Sequence, residues 1–286
     1  MVAAVVVAIG IGGQCLALTA AGSRFDCTKP DHRDYTPGWT ARHQSFNAIA
    51  AQGDVDLAFI GDSITQGWER EGAAVWKAYY GQLKAANFGI DGDQTQHVLW
   101  RIDHGNFDGI KPKLIVIMLG TNNAGHNTPG EVAEAMGLIV KRLREKLPGT
   151  KLLLLGIFPR GSKADDALRV ANTKANAEFS KLADGKWIHF LDIGQNFLTA
   201  NGTISPEIMP DGLHPNAKGY EIWAKAIEAK VTELMKKTVP ATRKKRCQPP
   251  NLGNLGDSVS QFACFLWLSP FFFDVCRAPR ADLHLR

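Results

Sequence analysis

One serine, one aspartate and one histidine in this 286-residue chain have the types and settings that acyl transfer requires. Ser63 ends the run Leu57-Ala58-Phe59-Ile60-Gly61-Asp62-Ser63, where apolar residues stop at a glycine. Asp211 and His214 share one short stretch between Pro210 and Pro215. Cleaving an ester needs a hydroxyl nucleophile, a base to take its proton, and donors for the oxyanion that develops on the carbonyl. Ser63 is the candidate nucleophile and His214 the candidate base. Asp211 can hold the imidazole tautomer and stabilise the imidazolium. The backbone N–H groups of Ser63 and Gly92, with the side-chain amide of Asn122, are the candidate oxyanion donors. Taken singly, each has a plainer reading. Ser63 could cap a following helix, Asp211 could cap the last helix, and His214 could be a surface residue. Gly92 could be a turn glycine, and Asn122 a loop amide bonded to backbone.

These residues converge only if the chain brings distant loops together. Apolar runs at residues 55–61, 86–90, 113–120, 151–158 and 187–193 read as buried strands. Helical patterns fall at 73–85, 95–104, 129–146, 164–183 and 215–236, with a shorter one at 40–51. Pro129 and Pro215 suit first helical turns. Strands alternating with helices pair in parallel through right-handed crossovers. The expectation is an α/β, three-layer αβα sandwich on a five-stranded parallel sheet. In such a sheet every strand ends at the same edge, where ligands bind. Ser63, the stretch Gly89-Ile90-Asp91-Gly92-Asp93, and Gly120-Thr121-Asn122-Asn123 each follow a strand, and Asp211-Gly212-Leu213-His214 precedes the last helix.

Composition narrows the function. The net charge of +5 lies entirely beyond residue 236, where eight Lys/Arg face three Asp; residues 1–236 hold 25 of each sign. Charge therefore gives no argument for nucleic-acid binding by the body. All five cysteines lie outside residues 28–246, so the body needs neither a disulfide framework nor a thiolate metal site. His97 and His126 lack a second ligand at metal spacing and read as non-ligands, with His126 a candidate to line the cleft. The site calls for no metal and no cofactor. Asp62 reads as ordering the turn, and Arg101 as a helix-end residue or the ion-pair partner of a nearby carboxylate.

Residues 1–21 are apolar and end in small residues, and they read as a signal peptide, although a basic start is missing. That makes the expected localisation secreted or periplasmic, with no membrane partner once the leader is removed. Residues 26–237 read as one domain. Residues 238–286 are atypical, with Arg243-Lys244-Lys245-Arg246 and an aromatic-rich stretch without periodicity, and carry no assigned function.

Gly61-Asp62-Ser63, Gly92, Gly120-Thr121-Asn122 and Asp211-Gly212-Leu213-His214 together resemble the four blocks of the SGNH (GDSL) hydrolases. The text from Asn87-Phe88-Gly89 through His97-Val98-Leu99-Trp100-Arg101 is similar to the branch holding the catalytic subunits of intracellular platelet-activating-factor acetylhydrolase. The resemblance covers roughly residues 57–222. It implies a flavodoxin-like fold, a metal-free serine esterase and a preference for short acyl groups. Gly61-Asp62-Ser63-Ile64-Thr65 lacks the second glycine of a Gly-x-Ser-x-Gly elbow, which argues against an α/β-hydrolase. Export and a neutral body suit a small acyl-ester substrate such as an acetylated glycan, xylan included; Trp68 and Trp100 could offer sugar-stacking faces, though core packing is the commoner use of any one Trp. The rivals are a lysophospholipase or thioesterase on longer chains, and a binding protein that keeps the fold without turnover.

Overall fold

The computed structural model describes residues 25–236. Five parallel strands, β1 (Leu57–Gly61), β2 (Ala85–Gly89), β3 (Leu114–Met118), β4 (Lys151–Leu155) and β5 (Ile188–Leu191), form one sheet in the order β2-β1-β3-β4-β5. β1 lies between β2 and β3, with Gly61 opposite both Gly89 and Met118. The chain runs outward from β1 to one edge and then back across to the other. Beside β1 the connections leave in opposite directions, and that reversal opens a crevice at the carboxyl edge.

Side chains along each strand alternate between two cores. Ala58, Ile60, Ile115, Ile117, Leu152 and Leu154 pack under α1 (Trp39–Gln52), α4 (Thr95–Asp103), α5 (Pro129–Lys146) and α6 (Ala167–Phe179). Leu57, Phe59, Leu114, Val116, Leu153 and Leu155 face α3 (Ala73–Tyr80) and α7 (Ala217–Met235). The expected three-layer sandwich is therefore the fold. Among the described residues no helix is long and apolar enough to cross a membrane.

Several ends differ from the sequence expectation, each for a local reason. α3 stops at Tyr80, short of residue 85, because Gly81 follows and the chain must turn into β2. Pro215 lies outside α7. Asn216 is the cap there, its side chain accepting from Gly219 N–H at 3.2 Å, whereas Pro129 does open α5 behind Thr128. Between β1 and α3 a short helix, α2 (Ser63–Gln66), runs into a 3-10 turn at Gly67–Glu69.

Trp68 and Trp100 do not present sugar-stacking faces. Trp68 is 1% exposed and packed among Phe59, Trp76, Tyr80, Tyr220 and Trp223. Trp100 is sandwiched by His104, at 3.7 Å between ring centroids, and His32. The leader read at residues 1–21 and the tail at 238–286 lie outside the described residues.

Candidate active site

Ser63 is the first residue of α2, directly after β1. It is not the cap. Asp62 fills that role, its Oδ1 accepting from Ile64 N–H at 3.0 Å. Gly61 is required because a Cβ there would collide with Met118 O and the Thr65 side chain. Tyr220 on α7 donates to Ile64 O at 2.7 Å, which ties the serine turn to the helix that follows His214.

Asp211 builds the His214 turn and orients its ring. Oδ1 accepts from Leu213 N–H at 2.9 Å and His214 N–H at 2.7 Å, and Oδ2 accepts from His214 Nδ1 at 2.6 Å. Gly161 N–H donates to Gly212 O at 2.9 Å, fastening the turn to the loop after β4. Burial would raise the Asp211 carboxyl, but the N–H groups of His214 and Leu213 and the imidazole outweigh it and hold it at about 2. With Nδ1–H engaged by a carboxylate, Nε2 is left as the acceptor for Ser63 Oγ, 2.9 Å away. Serine, imidazole and carboxylate, 148 residues apart from Ser63 to Asp211 in the sequence, form one hydrogen-bonded chain.

The other predicted residues gather on the neighbouring loops. Gly92 has φ +71°, a left-handed conformation, and a Cβ there would meet the Arg33 guanidinium at 2.9 Å. The loop around it is bonded nearly throughout. Ile90 N–H donates to Gly61 O at 3.2 Å, Asp91 N–H to Gln66 Oε1 at 2.7 Å, and Asp93 N–H to Ile90 O at 3.1 Å. Among the described residues, the backbone N–H groups of Gly92 and Ser63 have no hydrogen-bond partner. Asn122 uses one amide hydrogen on Asp93 O at 3.0 Å, so it is in part the backbone-bonding loop amide that its type also allowed. Its other amide hydrogen remains available. These three groups can face a developing oxyanion.

Of the residues that hold those loops, sequence reasoning offered Arg101 as a helix-end residue or ion-pair partner and gave no role to Asp93, Trp39 or Asn123. Asp93 is wholly buried and ion-paired through Oδ2 with Arg101 Nε at 2.9 Å, and its Oδ1 accepts from Trp39 Nε1 at 2.7 Å. Burial pushes its carboxyl up, while Arg101, Trp39 and Arg33 oppose that. Arg101 is thus the ion-pair partner of a carboxylate, and the partner is Asp93. Asn123, also wholly buried, accepts from Thr95 N–H at 3.1 Å and joins the loop after β3 to α4. The available signal was Asp93 directly after Gly92, with an arginine two helical turns along. His97 is buried and holds its imidazole neutral, with its pKa lowered to about 3 by burial; Nδ1 accepts from Gln94 N–H at 2.9 Å. His126 is exposed.

Beside Gly92, a cleft of about 380 Å³ is lined by Arg33, Arg42, Gln66 and Asp91 together with Pro37, Trp39 and Ile90. Arg42 is held there by Glu69 at 2.9 Å.

The chain is 36% identical over 198 residues to platelet-activating factor acetylhydrolase IB subunit alpha1 of Bos taurus, covering 69% of this chain and 84% of that one. Its fold is similar to a GDSL-like lipase from Bacteroides thetaiotaomicron, with TM-score 0.56, 23% identity, and coverage of 68% of this chain and 97% of that one. It is also similar to an acetylxylan esterase from Geobacillus stearothermophilus, with TM-score 0.52, 20% identity, and coverage of 61% and 93%. The expectation of a secreted or periplasmic protein is overturned by the acetylhydrolase relatives, which fall in the branch named above as intracellular. That expectation leaned on an apolar leader without a basic start, and apolar character alone does not make a signal. Residues 59–222 match the family model described as GDSL-like lipase/acylhydrolase, and with four motif blocks meeting at one sheet edge the chain belongs to that family, as a carboxylic ester hydrolase.

Proposed function

We propose that Ser63, His214 and Asp211 are the catalytic residues of a hydrolase for short-chain acyl esters, acetyl esters above all, within the domain spanning residues 26–237. The observation that carries this is the relay from Ser63 Oγ to His214 Nε2 at 2.9 Å and from Nδ1 to Asp211 Oδ2 at 2.6 Å. Ser63 Oγ attacks the carbonyl carbon while its proton passes to Nε2. The carbonyl oxygen takes up negative charge and accepts from Ser63 N–H, Gly92 N–H and Asn122 Nδ2. The tetrahedral centre collapses, the alcohol leaves with the proton from Nε2, and an acyl-serine remains. Water then gives a proton to Nε2 and its hydroxyl to the acyl carbon, the bond from Ser63 Oγ to that carbon breaks as Oγ takes the proton back from Nε2, and the acid departs.

One ground supports acetyl as the acyl group. The curated relatives are named acetylhydrolases and a structural neighbour is an acetylxylan esterase, so acetyl is the shared part and the leaving group differs. The leaving group is therefore the variable to test, with an acetylated glycan such as acetylxylan set against platelet-activating factor.

The deciding experiment is a series of p-nitrophenyl esters of rising acyl length, followed by those two acetyl esters. Rates should fall steeply beyond short acyl groups. A maximum at long chains would move the enzyme to the lysophospholipase or thioesterase reading. Covalent labelling by a fluorophosphonate, lost in Ser63→Ala, separates an enzyme from a binding protein on the same fold.

A further inference from the structure

Two of the three proposed oxyanion donors lie outside the serine turn, and both are held at one residue. Gly92 immediately precedes Asp93 in the chain, and Asn122 Nδ2 donates to the Asp93 carbonyl at 3.0 Å. The Asp93 main chain is therefore the joint between them. Gln94, the next residue, adds a second tie by donating from Nε2 to Asn122 O at 2.6 Å.

The Asp93 side chain is fully buried, with a hydrogen bond to Oδ1 and an ion pair to Oδ2. Trp39 Nε1 donates to Oδ1 at 2.7 Å, Arg101 Nε lies 2.9 Å from Oδ2, and Arg33 Nη1 lies 3.6 Å from Oδ1. Arg101 is itself anchored, its Nη1 donating to Phe88 O and Asn106 Oδ1, both at 3.0 Å. Arg33 donates to Asp91 O at 2.8 Å, on the other side of Gly92. The anchoring thus runs from α1, from α4 and from the end of β2 into one carboxylate. A buried ion pair is weak evidence for stability, because well-packed apolar residues often serve as well. Its place here gives it a second consequence. Oxyanion donors act only when they lie about 2.7–3.1 Å from the oxygen, and a misplacement near 1 Å can cost about 10²-fold in rate.

We propose that Asp93, clamped by Arg101 and Trp39, is a positioning residue that sets the separation of the Gly92 and Asn122 oxyanion donors. This rests on the oxyanion reading above. Asp93 touches no substrate. It acts by fixing where its own main chain stands, and the effect falls on the transition state, hence on kcat more than on KM.

The test uses the full chain with p-nitrophenyl acetate, kcat being referred to active sites counted by fluorophosphonate labelling taken to completion. Asp93→Asn keeps shape and an acceptor for Trp39 but removes the charge that Arg101 holds. It should lower kcat per site by about 10- to 10²-fold with KM within about threefold. Trp39→Phe removes one donor from Oδ1, keeps an aromatic ring in the core, and should lower kcat several-fold; it decides the matter if Asp93→Asn does not fold. Arg101→Lys should lose less than Arg101→Met. In an Asn122→Ala background the Asp93→Asn effect should shrink, because one of the two groups it positions has gone. A merely structural role would lower melting temperature and the count of labelled sites while leaving kcat per site unchanged. Wild-type kcat per site in folded Asp93→Asn and Trp39→Phe, with Asn122→Ala slow, overturns the positioning role and leaves the oxyanion reading standing. Wild-type kcat in Asn122→Ala removes the oxyanion reading and the positioning role together.

Discussion

The two halves of the site are built on opposite principles. On the proposed nucleophile and oxyanion side, Ser63 is 6% exposed and the supporting Asp93 and Asn123 are fully enclosed, with Gly92 and Asn122 half-buried above them. The bonds on this side cross between β1, β2, β3, α1 and α4. The base side is open, with the His214 and Asp211 side chains 44% and 54% exposed, and most of its bonds close within four residues. Oxyanion stabilisation depends on fixed dipoles in a poorly solvated place. An imidazole that must shuttle protons between a serine, a leaving group and water gains from solvent access. The contrast teaches that this fold spends its long-range packing on electrostatic placement and leaves proton transfer to a self-contained turn.

The strongest way to break that comparison is to remove the serine or the imidazole of the relay. Ser63→Ala and His214→Ala should each abolish nearly all turnover of p-nitrophenyl acetate, and the double variant should be hardly worse than either alone, because the two act as a unit. Steady-state kinetics would read this, and additive losses would mean that serine and imidazole work independently. Asn122→Ala comes next, with kcat down by about 10²–10³. An unchanged rate removes Asn122 from the buried half. Asp211→Asn sharpens the contrast. A buried triad aspartate can be worth about 10⁴ in kcat, but an imidazolium beside solvent is already partly stabilised, so a loss of about 10–10² is expected here. A loss as large as that of Ser63→Ala would show that the exposed turn is as demanding as the buried loops.

What could be read from the sequence follows the same divide. Strands were legible because Leu57–Gly61 and Leu114–Met118 are continuous apolar runs, and the turn at Asp211-Gly212-Leu213-His214 was legible because its partners are adjacent in the chain. Pairing Ser63 with His214 needed the parallel sheet as an intermediate step. The clamp on Asp93 was legible only in part: Arg101 could be read as an ion-pair partner, but nothing local distinguishes an arginine that will be buried from one that will be solvated, or names its carboxylate. Arg33 and Trp39 reach Asp93 only after α1 has folded onto α4. For Trp68 and Trp100 core packing, the commoner use of a tryptophan, is what the structure shows; an aromatic residue near a motif gives no sign of which neighbours will cover its faces. The localisation misled because it rested on an apolar stretch ending in small residues and lacking a basic start.

The smallest expected effect on rate belongs to Asp62, which lies on the buried side but outside the relay, and its change should show in stability. Its carboxyl is fully buried, with Oδ1 on Ile64 N–H and Oδ2 unpartnered among the described residues. Burial, with Asp93 nearby, raises its pKa from 3.8 to about 7. The unfolded chain gives up this proton near 3.8 and the folded protein near 7, so the unfolded state binds fewer protons between those values. The contribution is present below about pH 4 and is lost as pH rises to about 7. His43 and His97 act with the opposite sign, because burial lowers their pKa values to about 4 and about 3, so their contributions are lost as pH falls below 6.5. Wild-type stability alone therefore mixes the terms, and the difference from Asp62→Asn isolates one of them. The asparagine keeps an acceptor for Ile64 N–H and cannot ionise. Its melting temperature should gain on wild type by roughly 5 °C or more between pH 4 and 7.5, measured by calorimetry at fixed ionic strength. A difference that stays flat across that range would mean that Asp62 is ionised in the fold, with a cation or water reaching Oδ2, and that the buried half is wetter than its exposures imply.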